Sequence, residues 1–420
     1  MHLDFPDQHT PRYADFEIGG VSDETMREGG ERALFGADDA RKLLLVEALA
    51  AAGIRDIDLG SGIAEPVFLR RCLDAKFVLG RLPAATHFAF NMTLQTWEPL
   101  TSALAADVPR DYLADISVSL GMIEIGQSEN LLERVHERLA QAGVHRFRAS
   151  ILNAFSGDVD EEQYLFIDEQ ISRCRQLGID LVRINDSTGT LLPHATAVLA
   201  ANLVHDNPDM QFYLHGHDDR GLGTANSLIS VMHGFQIVEG GVGGFGNRAG
   251  LPLLEALARI FQERGITVAT GALDVEGLTK AAAVAEDVFM VVPDVYRPIS
   301  GMLVENENAG IVNVPDHLGV RRSVEYFLNP IGLFPRTVHQ MLTRAGVPTD
   351  RLDEDFVERV CGRLRSHMEG AHYQEKRARF TQLLDEIRDF YTGIVRLDDV
   401  QRAALEELQT TPRVLDRVTG

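Results

Sequence analysis

Apolar runs and amphipathic stretches alternate along the first two thirds of the chain, and this rhythm constrains its fold most strongly. Eight short apolar runs read as strands: FEIGGVS, IRDIDLG, THFAFNM, YLADISVSL, HRFRASIL, IDLVRIND, QFYLHGH and FQIVEGG. The stretches between them, such as DDARKLLLVEALAAAG and NLLERVHERLAQAG, have helical spacing and end in Gly. Eight strand–helix units in about 265 residues predict a (β/α)8 barrel. An open doubly wound sheet normally has fewer strands, and no GxGxxG follows the first strand.

The rhythm stops near residue 285. PDVYRPISGMLVENENAGIVNVP reads as a loop, and charged helical patterns follow, including DEDFVERVCGRLRSHMEG and KRARFTQLLDEIRDFYTGIV. We therefore expect a barrel domain over residues 1–285 and a helical region over residues 286–420. Because the apolar stripes of these helices must be buried somewhere, the region is expected to cap the barrel or to form a homodimer.

The charge and the cysteine content narrow the classes of partner. The chain has 62 acidic and 40 basic residues, a formal net charge of −22, which argues against nucleic acid or an anionic membrane as the main partner. Its three cysteines, Cys72, Cys174 and Cys361, form no CxxC pair, and an odd number favours a reducing compartment. The sequence shows neither a signal-peptide pattern nor an apolar run of about 18 residues. These features together predict a cytoplasmic protein.

The segment HGHDD, at the end of the seventh predicted strand, indicates a metal site. Residues two apart on a strand point to the same face, so His215 and His217 can both point into the barrel mouth. Glu28 follows the first strand and can supply a carboxylate at the same mouth. Two histidines and one carboxylate suit Zn, Mn, Co or Mg and leave positions open for substrate and water. The alternative is a strand end that is merely polar.

Three other segments lie at the predicted mouth. Arg27 precedes Glu28 and could stabilise developing negative charge on an oxygen, or form a surface ion pair. The glycines of GGVGGFGNRAG could cradle a carboxylate or phosphate, or form a plain turn. Asp186, Ser187 and Thr188 end the sixth strand and could contact a substrate carboxylate or cap a helix.

These segments together resemble motifs of the metal-dependent aldolase-like barrels that make or break carbon–carbon bonds beside a carbonyl. That superfamily includes homocitrate synthase, isopropylmalate synthase and hydroxymethylglutaryl-CoA lyase. DETMREGGE is similar to D-x-T-L-R-[DE]-G-x-Q, HGHDDRGLGTAN to H-x-H-N-D-x-G-x-A-x-A-N, INDSTG to D-T-x-G, and GFGNRAG to G-[IL]-G-[EN]-R-x-G. The resemblance covers roughly residues 16 to 265, and Glu after Arg in the first motif is similar to homocitrate synthase.

The resemblance implies a role for each matching residue. Glu28, His215 and His217 would hold the divalent cation, and Arg27 would steady the enolate oxygen of the substrate. Three further residues would contact the substrate: Asp58 and Ser187, where members have Glu and Thr, and Asn247 in the last motif.

The sequence also departs from the family pattern. Asp218 stands where members have Asn, and Leu251 stands where many have an Asn near the metal. SGMLVENENAGIV resembles a C-terminal motif of the condensing enzymes, but Val312 replaces its final histidine. Valine cannot transfer a proton, so Glu305, Glu307 or His317 would act as the catalytic base, or the reaction differs.

The leading expectation is a Claisen-type condensation of an acyl-CoA with a 2-oxo acid. The retained AGI loop and the C-terminal helices favour it. The alternative is a metal-dependent lyase or aldolase, favoured by the missing histidine and by SILNAFSGD, which faintly resembles a loop of the lyases. A non-catalytic relative is disfavoured by the intact motif residues.

Overall fold

A computed structural model describes most of the chain: residues 16–60, 65–92, 97–121, 131–153, 155, 157–304, 333–393 and 395–410. The predicted (β/α)8 barrel is confirmed, because eight parallel strands form one closed sheet. Each of the eight apolar runs provides one strand. The strands are β1 (Gly20–Asp23), β2 (Asp56–Asp58), β3 (His87–Met92), β4 (Ile116–Gly121), β5 (Arg146–Asn153), β6 (Leu181–Asp186), β7 (Gln211–Gly216) and β8 (Ile237–Gly240).

Each strand pairs with the next one along the chain, and β1 closes the ring by pairing with β8 in parallel. In this closing pair Gly20 lies opposite Ile237 and Asp23 lies opposite Gly240. The carboxyl ends of all eight strands therefore open at the same mouth, where barrel enzymes carry their active sites.

Helices alternate with the strands and surround the barrel. The helices of this part are α1 (Thr25–Arg32), α2 (Asp39–Ala51), α3 (Glu65–Phe77), α4 (Trp97–Asp107), α5 (Arg110–Leu113), α6 (Leu131–Ala142), α7 (Glu161–Gln176), α8 (Pro193–Asp206), α9 (Gly223–Met232), α10 (Leu254–Arg264) and α11 (Val275–Phe289). Their inner faces and the outer faces of the strands form one continuous apolar core.

Local signals set several helix boundaries. Asp38 accepts hydrogen bonds from the backbone N–H groups of Ala40 and Arg41, so it caps the first turn of α2. Asp160 caps α7 in the same way. Helix α10 ends at Gly265, whose φ of 70° lies in the left-handed region that favours glycine.

A second, two-stranded parallel sheet joins Glu17–Ile18 to Thr267–Val268. It lies just before β1 in the sequence and just after α10. Within this part of the chain it ties the start of the barrel to the segment that follows the last strand.

The described chain divides into two compact units between Val304 and Glu305, later than the boundary at residue 285 that the sequence suggested. Helix α11 and the turn after it pack with the barrel. Ser300 Oγ donates a hydrogen bond to Glu255 on α10, and Arg297 pairs with Glu286 on α11. The last helix of this unit runs to Phe289, and the turn after it stays packed against α10 and α11, so the unit extends beyond residue 285.

The second unit is helical, as expected. Its described helices are α12 (Pro335–Arg344), α13 (Glu354–Glu369), α14 (Ala371–Phe390) and α15 (Leu397–Thr410). A small core holds α12 against α13 through Leu333, Val338, Val357 and Cys361. Across the residues that the structure describes in either unit, no helix is long and apolar enough to cross a membrane.

Candidate metal centre

Glu28, His215 and His217 come together at the mouth of the barrel. Glu28 lies in the first turn of α1, directly after β1, and His215 lies on β7. All three side chains are buried, and their candidate ligand atoms lie within 4.8 Å of one another. The Nε2 atoms of the two histidines are 3.2 Å apart, and His215 Nε2 is 3.5 Å from Glu28 Oε1.

The donor set fits a divalent cation. Adjacent nitrogen ligands of a tetrahedral zinc ion lie roughly 3.3 Å apart, given Zn–N bonds of about 2.0–2.1 Å. The 3.2 and 3.5 Å separations at this site match that spacing. His215 Nδ1 faces the carboxylate of Glu239, which places the proton on Nδ1 and leaves the Nε2 lone pair toward His217. Two facing nitrogen lone pairs repel unless a proton or a cation lies between them.

The ionisation states also suit a cation. Burial by itself would raise the pKa of Glu28, but the Arg27 guanidinium, with the N–H of Asn247 acting in the same direction, outweighs it and holds the pKa well below its usual range. Burial, together with the nearby His215, lowers the pKa of His217 to about 4. A carboxylate that stays charged and an imidazole that stays neutral are the forms that bind metal.

Buried polar residues on neighbouring strands hold the His215 ring in its orientation. Glu239, on β8, accepts from His215 Nδ1 through one oxygen, and its other oxygen lies 3.3 Å from Arg183 Nη1. Arg183, on β6, also donates to Glu24 and Asn91. Burial would raise the pKa of Glu239, but Arg183 and His215 lower it to about 2. The carboxylate therefore stays ionised and fixes the tautomer of His215.

Arg27 is not a surface charge, because its side chain is only 9% exposed. It pairs with Glu24, and its Nη2 lies 2.7 Å from Glu28 Oε1. The N–H bonds of Nη2 are nevertheless not aligned for a hydrogen bond with any described residue. Arg27 thus keeps a buried donor beside the candidate metal ligand.

Two of the predicted substrate contacts lie in this region. Asp58 is buried on β2, where it accepts hydrogen bonds from Gly60 N and from Asn91 Nδ2. The Ser187 hydroxyl is buried and has no hydrogen-bond partner within the described ranges. It belongs to the loop after β6, which approaches β7 so closely that a Cβ at Gly189 would lie 2.5 Å from the carbonyl oxygen of His217.

Asn247 reaches the site through its backbone. Its N–H donates to Glu28 Oε2 at 2.8 Å, while its side-chain amide donates to Glu31. The glycine-rich loop that carries it uses another amide on the protein itself, because Gly243 N donates to both oxygens of Glu255. The backbone N–H groups of this loop therefore bind two carboxylates of the protein itself, those of Glu28 and Glu255.

The remaining residues of the quoted motifs have local roles. Asp218 accepts from Gly223 N at the start of α9, and Asp219 pairs with Arg248. Asp186 accepts from the backbone N–H groups of Thr190 and Leu191, which shapes the loop after β6. The three candidate bases, Glu305, Glu307 and His317, lie outside the described residues.

Sequence reasoning missed Glu24, Asn91, Arg183 and Glu239. All four are buried polar or charged side chains within the barrel. For Asn91, Arg183 and Glu239 the signal was a charged or amide residue within an otherwise apolar strand, as in LVRIND and IVEGG, whereas Glu24 lies between β1 and α1. Such residues on a parallel strand need buried partners, and the closed sheet supplies them from neighbouring strands.

Parts of the chain are similar to a known family and to known proteins. A family model described as HMGL-like matches residues 127–285. Homocitrate synthase from Sulfolobus acidocaldarius is 25% identical over 309 residues, 70% of this chain and 61% of that protein. The (R)-citramalate synthase of the same organism is 23% identical over 301 residues, 69% of this chain and 57% of that protein. The chain thus spans about three fifths of the length of these relatives.

Solved structures share the fold. An HMG-CoA lyase from Acinetobacter baumannii, determined with coenzyme A and 3-methylmalate, superposes with a TM-score of 0.52 at 17% identity, covering 72% of this chain and 99% of the lyase. Hydroxymethylglutaryl-CoA lyase from Pseudomonas aeruginosa gives 0.51 at 21% identity, with coverages of 68% and 97%. The family model over residues 127–285 and the two similar synthases fit the resemblance drawn from the sequence motifs, and the lyase structures share the barrel fold.

Proposed function

We propose that this protein is a divalent-metal-dependent enzyme that condenses an acyl-CoA, such as acetyl-CoA, with a 2-oxo acid. The product would be an alkylmalate- or homocitrate-like acid. The observation that carries the proposal is the convergence of Glu28, His215 and His217 beside the buried Arg27. The names of the two Sulfolobus relatives, a homocitrate synthase and a citramalate synthase, support a condensing enzyme.

The proposed condensation forms one carbon–carbon bond and breaks one thioester bond. The carbon next to the thioester loses a proton, attacks the keto carbon of the 2-oxo acid, and forms the new carbon–carbon bond. The keto oxygen takes up a proton to become a hydroxyl, and water then cleaves the thioester, releasing coenzyme A. A divalent cation, when bound, supplies Lewis acidity that polarises the keto group.

The protein's own residues would orient and stabilise the reactants. Arg27 would donate its remaining N–H to the oxygen on which negative charge develops, in a buried environment where such a contact is strong. The buried Ser187 hydroxyl, which has no protein partner in the described part, would donate to the substrate carboxylate. Asp58 would position the substrate from β2.

A base must accept the proton of the acyl-CoA. Because Val312 cannot do so, we assign this step to one of Glu305, Glu307 and His317. Glu305 and Glu307 belong to the segment that resembles the C-terminal motif of the condensing enzymes, and His317 follows the end of that segment by five residues. A carboxylate or an imidazole can accept a proton, so each of the three is chemically able to serve as this base.

A metal-dependent carbon–carbon lyase is the second candidate function. Val312 favours it, since the residue replaces the histidine that the condensing enzymes carry at this position. A lyase would use the same cation and the same Arg27 to stabilise the oxygen of the enolate that leaves. The two functions therefore differ in substrates and direction, while the site remains the same.

The decisive experiment offers a panel of 2-oxo acids with acetyl-CoA and measures thiol release with a chromogenic disulfide. All three cysteines are buried, so the native protein should contribute little background. We expect release that requires both a divalent metal and one oxo acid, that His215→Ala abolishes, and that the exposed-site control His194→Ala retains. No release with any oxo acid, together with cleavage of a hydroxyacyl-CoA or a hydroxy-oxo acid, would replace condensation by the lyase.

A further inference from the structure

We propose that helix α14 pairs with α14 of a second copy of this chain in antiparallel orientation. The pairing surface, which we call the α14 seam, consists of Tyr373, Phe380, Leu383 and Ile387. Tyr373, Phe380 and Ile387 follow one another at intervals of seven residues, and Leu383 lies three residues after Phe380. This is the spacing of residues at which two long helices pack side by side.

The seam is unusually apolar for a surface. Tyr373 and Phe380 are each 52% exposed, and Leu383 is 40% exposed. The small core of the second unit lies between α12 and α13, and within the described chain the seam is not part of it. Half-exposed aromatic side chains in a regular row on one helix mark a contact surface more often than isolated exposed residues do.

The charges beside the seam identify a second copy as the partner. Residues 375–379 include one acidic and three basic side chains, a net charge of +2. Residues 385–389 include three acidic side chains and one basic, a net charge of −2. A parallel pair would bring like charges together. An antiparallel pair would bring each basic half against the acidic half of the other copy, and two-fold symmetry would repeat every contact.

The separation of basic and acidic residues along α14 contributes little to the stability of a single helix. Arg379 Nη1 lies 3.9 Å from Glu386 Oε1, at the limit of an ion pair, and both side chains are more than half exposed. Such a pair contributes little to the stability of one helix. In the antiparallel arrangement, Arg379 of one copy would face Glu386 of the other, because both occupy the same flanking position of the seven-residue repeat.

The first test measures the oligomeric state of the full chain by sedimentation equilibrium. We expect a dimer for the wild type at micromolar concentration and a monomer for Phe380→Glu. The matched control is Leu165→Glu on α7, since Leu165 is similarly exposed, at 59%, and should leave the dimer intact. A wild-type monomer, or a Phe380→Glu variant as dimeric as the wild type, would overturn the proposal.

The second test determines whether the two α14 helices pair in antiparallel orientation. It exchanges charged residues and leaves the apolar seam unchanged. Arg379→Glu and Glu386→Arg should each weaken dimerisation on the order of tenfold, since each changes two symmetry-related contacts. The double variant should restore wild-type affinity, because the exchanged charges again face each other. A double variant no better than the single ones would rule out antiparallel pairing. Circular dichroism of every variant establishes that α14 remains folded.

Discussion

Glu239 and His215 form a buried pair in which the carboxylate accepts the Nδ1–H of the imidazole and directs Nε2 toward Glu28 and His217. The carboxylate is itself anchored by Arg183, so the orientation of the candidate ligand nitrogen depends on three side chains from three consecutive strands. Glu239 is thus a positioning residue for the candidate metal centre.

Replacing Glu239 by Gln should weaken metal binding. The amide keeps the shape of the side chain but loses the charge that makes the imidazole a stronger ligand, and such changes cost about ten- to a hundredfold in affinity. The measurement is competition for Co²⁺ or Zn²⁺ against a chromogenic chelator. Glu286→Gln, which alters another partly buried ion pair with an arginine, is the control. Equal affinities for both variants would remove Glu239 from the centre.

The purified protein should bind about one divalent ion per chain. His215→Ala should lose most of it, because the ion would keep one imidazole and one carboxylate instead of three protein ligands. Metal analysis after dialysis checks this. His194→Ala, a substitution at a surface histidine that pairs with Asp158, should keep the full complement. Equal metal content in wild type and His215→Ala would refute the assignment of the site.

Arg27→Lys should retain fold and metal while losing turnover. Lysine keeps the charge but lacks the planar fork that can contact Glu24, Glu28 and a substrate oxygen together. The expected loss is on the order of 10²–10³ in kcat. Arg175→Lys provides the control, because Arg175 pairs with Asp209 at an exposed position. Turnover of Arg27→Lys within a few-fold of wild type would show that the contact with the developing charge is unimportant.

The proposed base can be identified by substitution. We expect one of three substitutions, Glu305→Gln, Glu307→Gln or His317→Ala, to abolish thiol release. The metal content should stay unchanged in all three variants, because removing the base affects proton transfer and spares the proposed metal ligands. Val312→His, which restores the histidine of the condensing enzymes, should raise a weak condensation activity. Wild-type rates for all three substitutions would place the base elsewhere in the chain.

Stability should fall in mild acid partly because of His87. Burial lowers the pKa of His87 to about 4, with Arg148 and Arg146 acting in the same direction against Asp56. Between pH 6.5 and 4 the unfolded chain therefore binds a proton at this residue that the folded chain does not. The stabilisation is complete above pH 6.5 and is lost progressively toward pH 4, by on the order of 3 kcal/mol.

Urea unfolding at several pH values measures this effect. His87→Gln, which keeps a partner for the Ser117 hydroxyl, should show a shallower loss of stability from pH 6.5 to 4 than the wild type. The exposed-site variant His194→Gln should follow the wild-type curve. Parallel curves for wild type and His87→Gln would mean that His87 contributes nothing to acid sensitivity.

Periodicity was enough to predict the barrel, because buried parallel strands and amphipathic helices have different spacings of apolar residues. The same parity argument placed His215 and His217 on one face, and the barrel topology brought Glu28 to them. Glu239 and Arg183 were not found, since one sequence does not reveal which inward-facing charges meet across strands. The role of Asn247 was also incomplete, because a backbone N–H contact leaves no trace in the side-chain pattern.

The closure of the barrel between β1 and β8 also determines when the candidate metal centre can form. Glu28 and His217 are separated by 189 positions, and β1 has no partner on its outer side until Ile237–Gly240 has been made. At a synthesis rate of about 5–20 residues per second, the carboxylate precedes its imidazole partners by roughly 10–40 s. During that interval a growing chain carries a first strand with one unpaired edge and one of the three candidate ligands. The three candidate ligands therefore come together only after β1 and β7 belong to the same barrel, and binding of the proposed ion would report that the ring has closed.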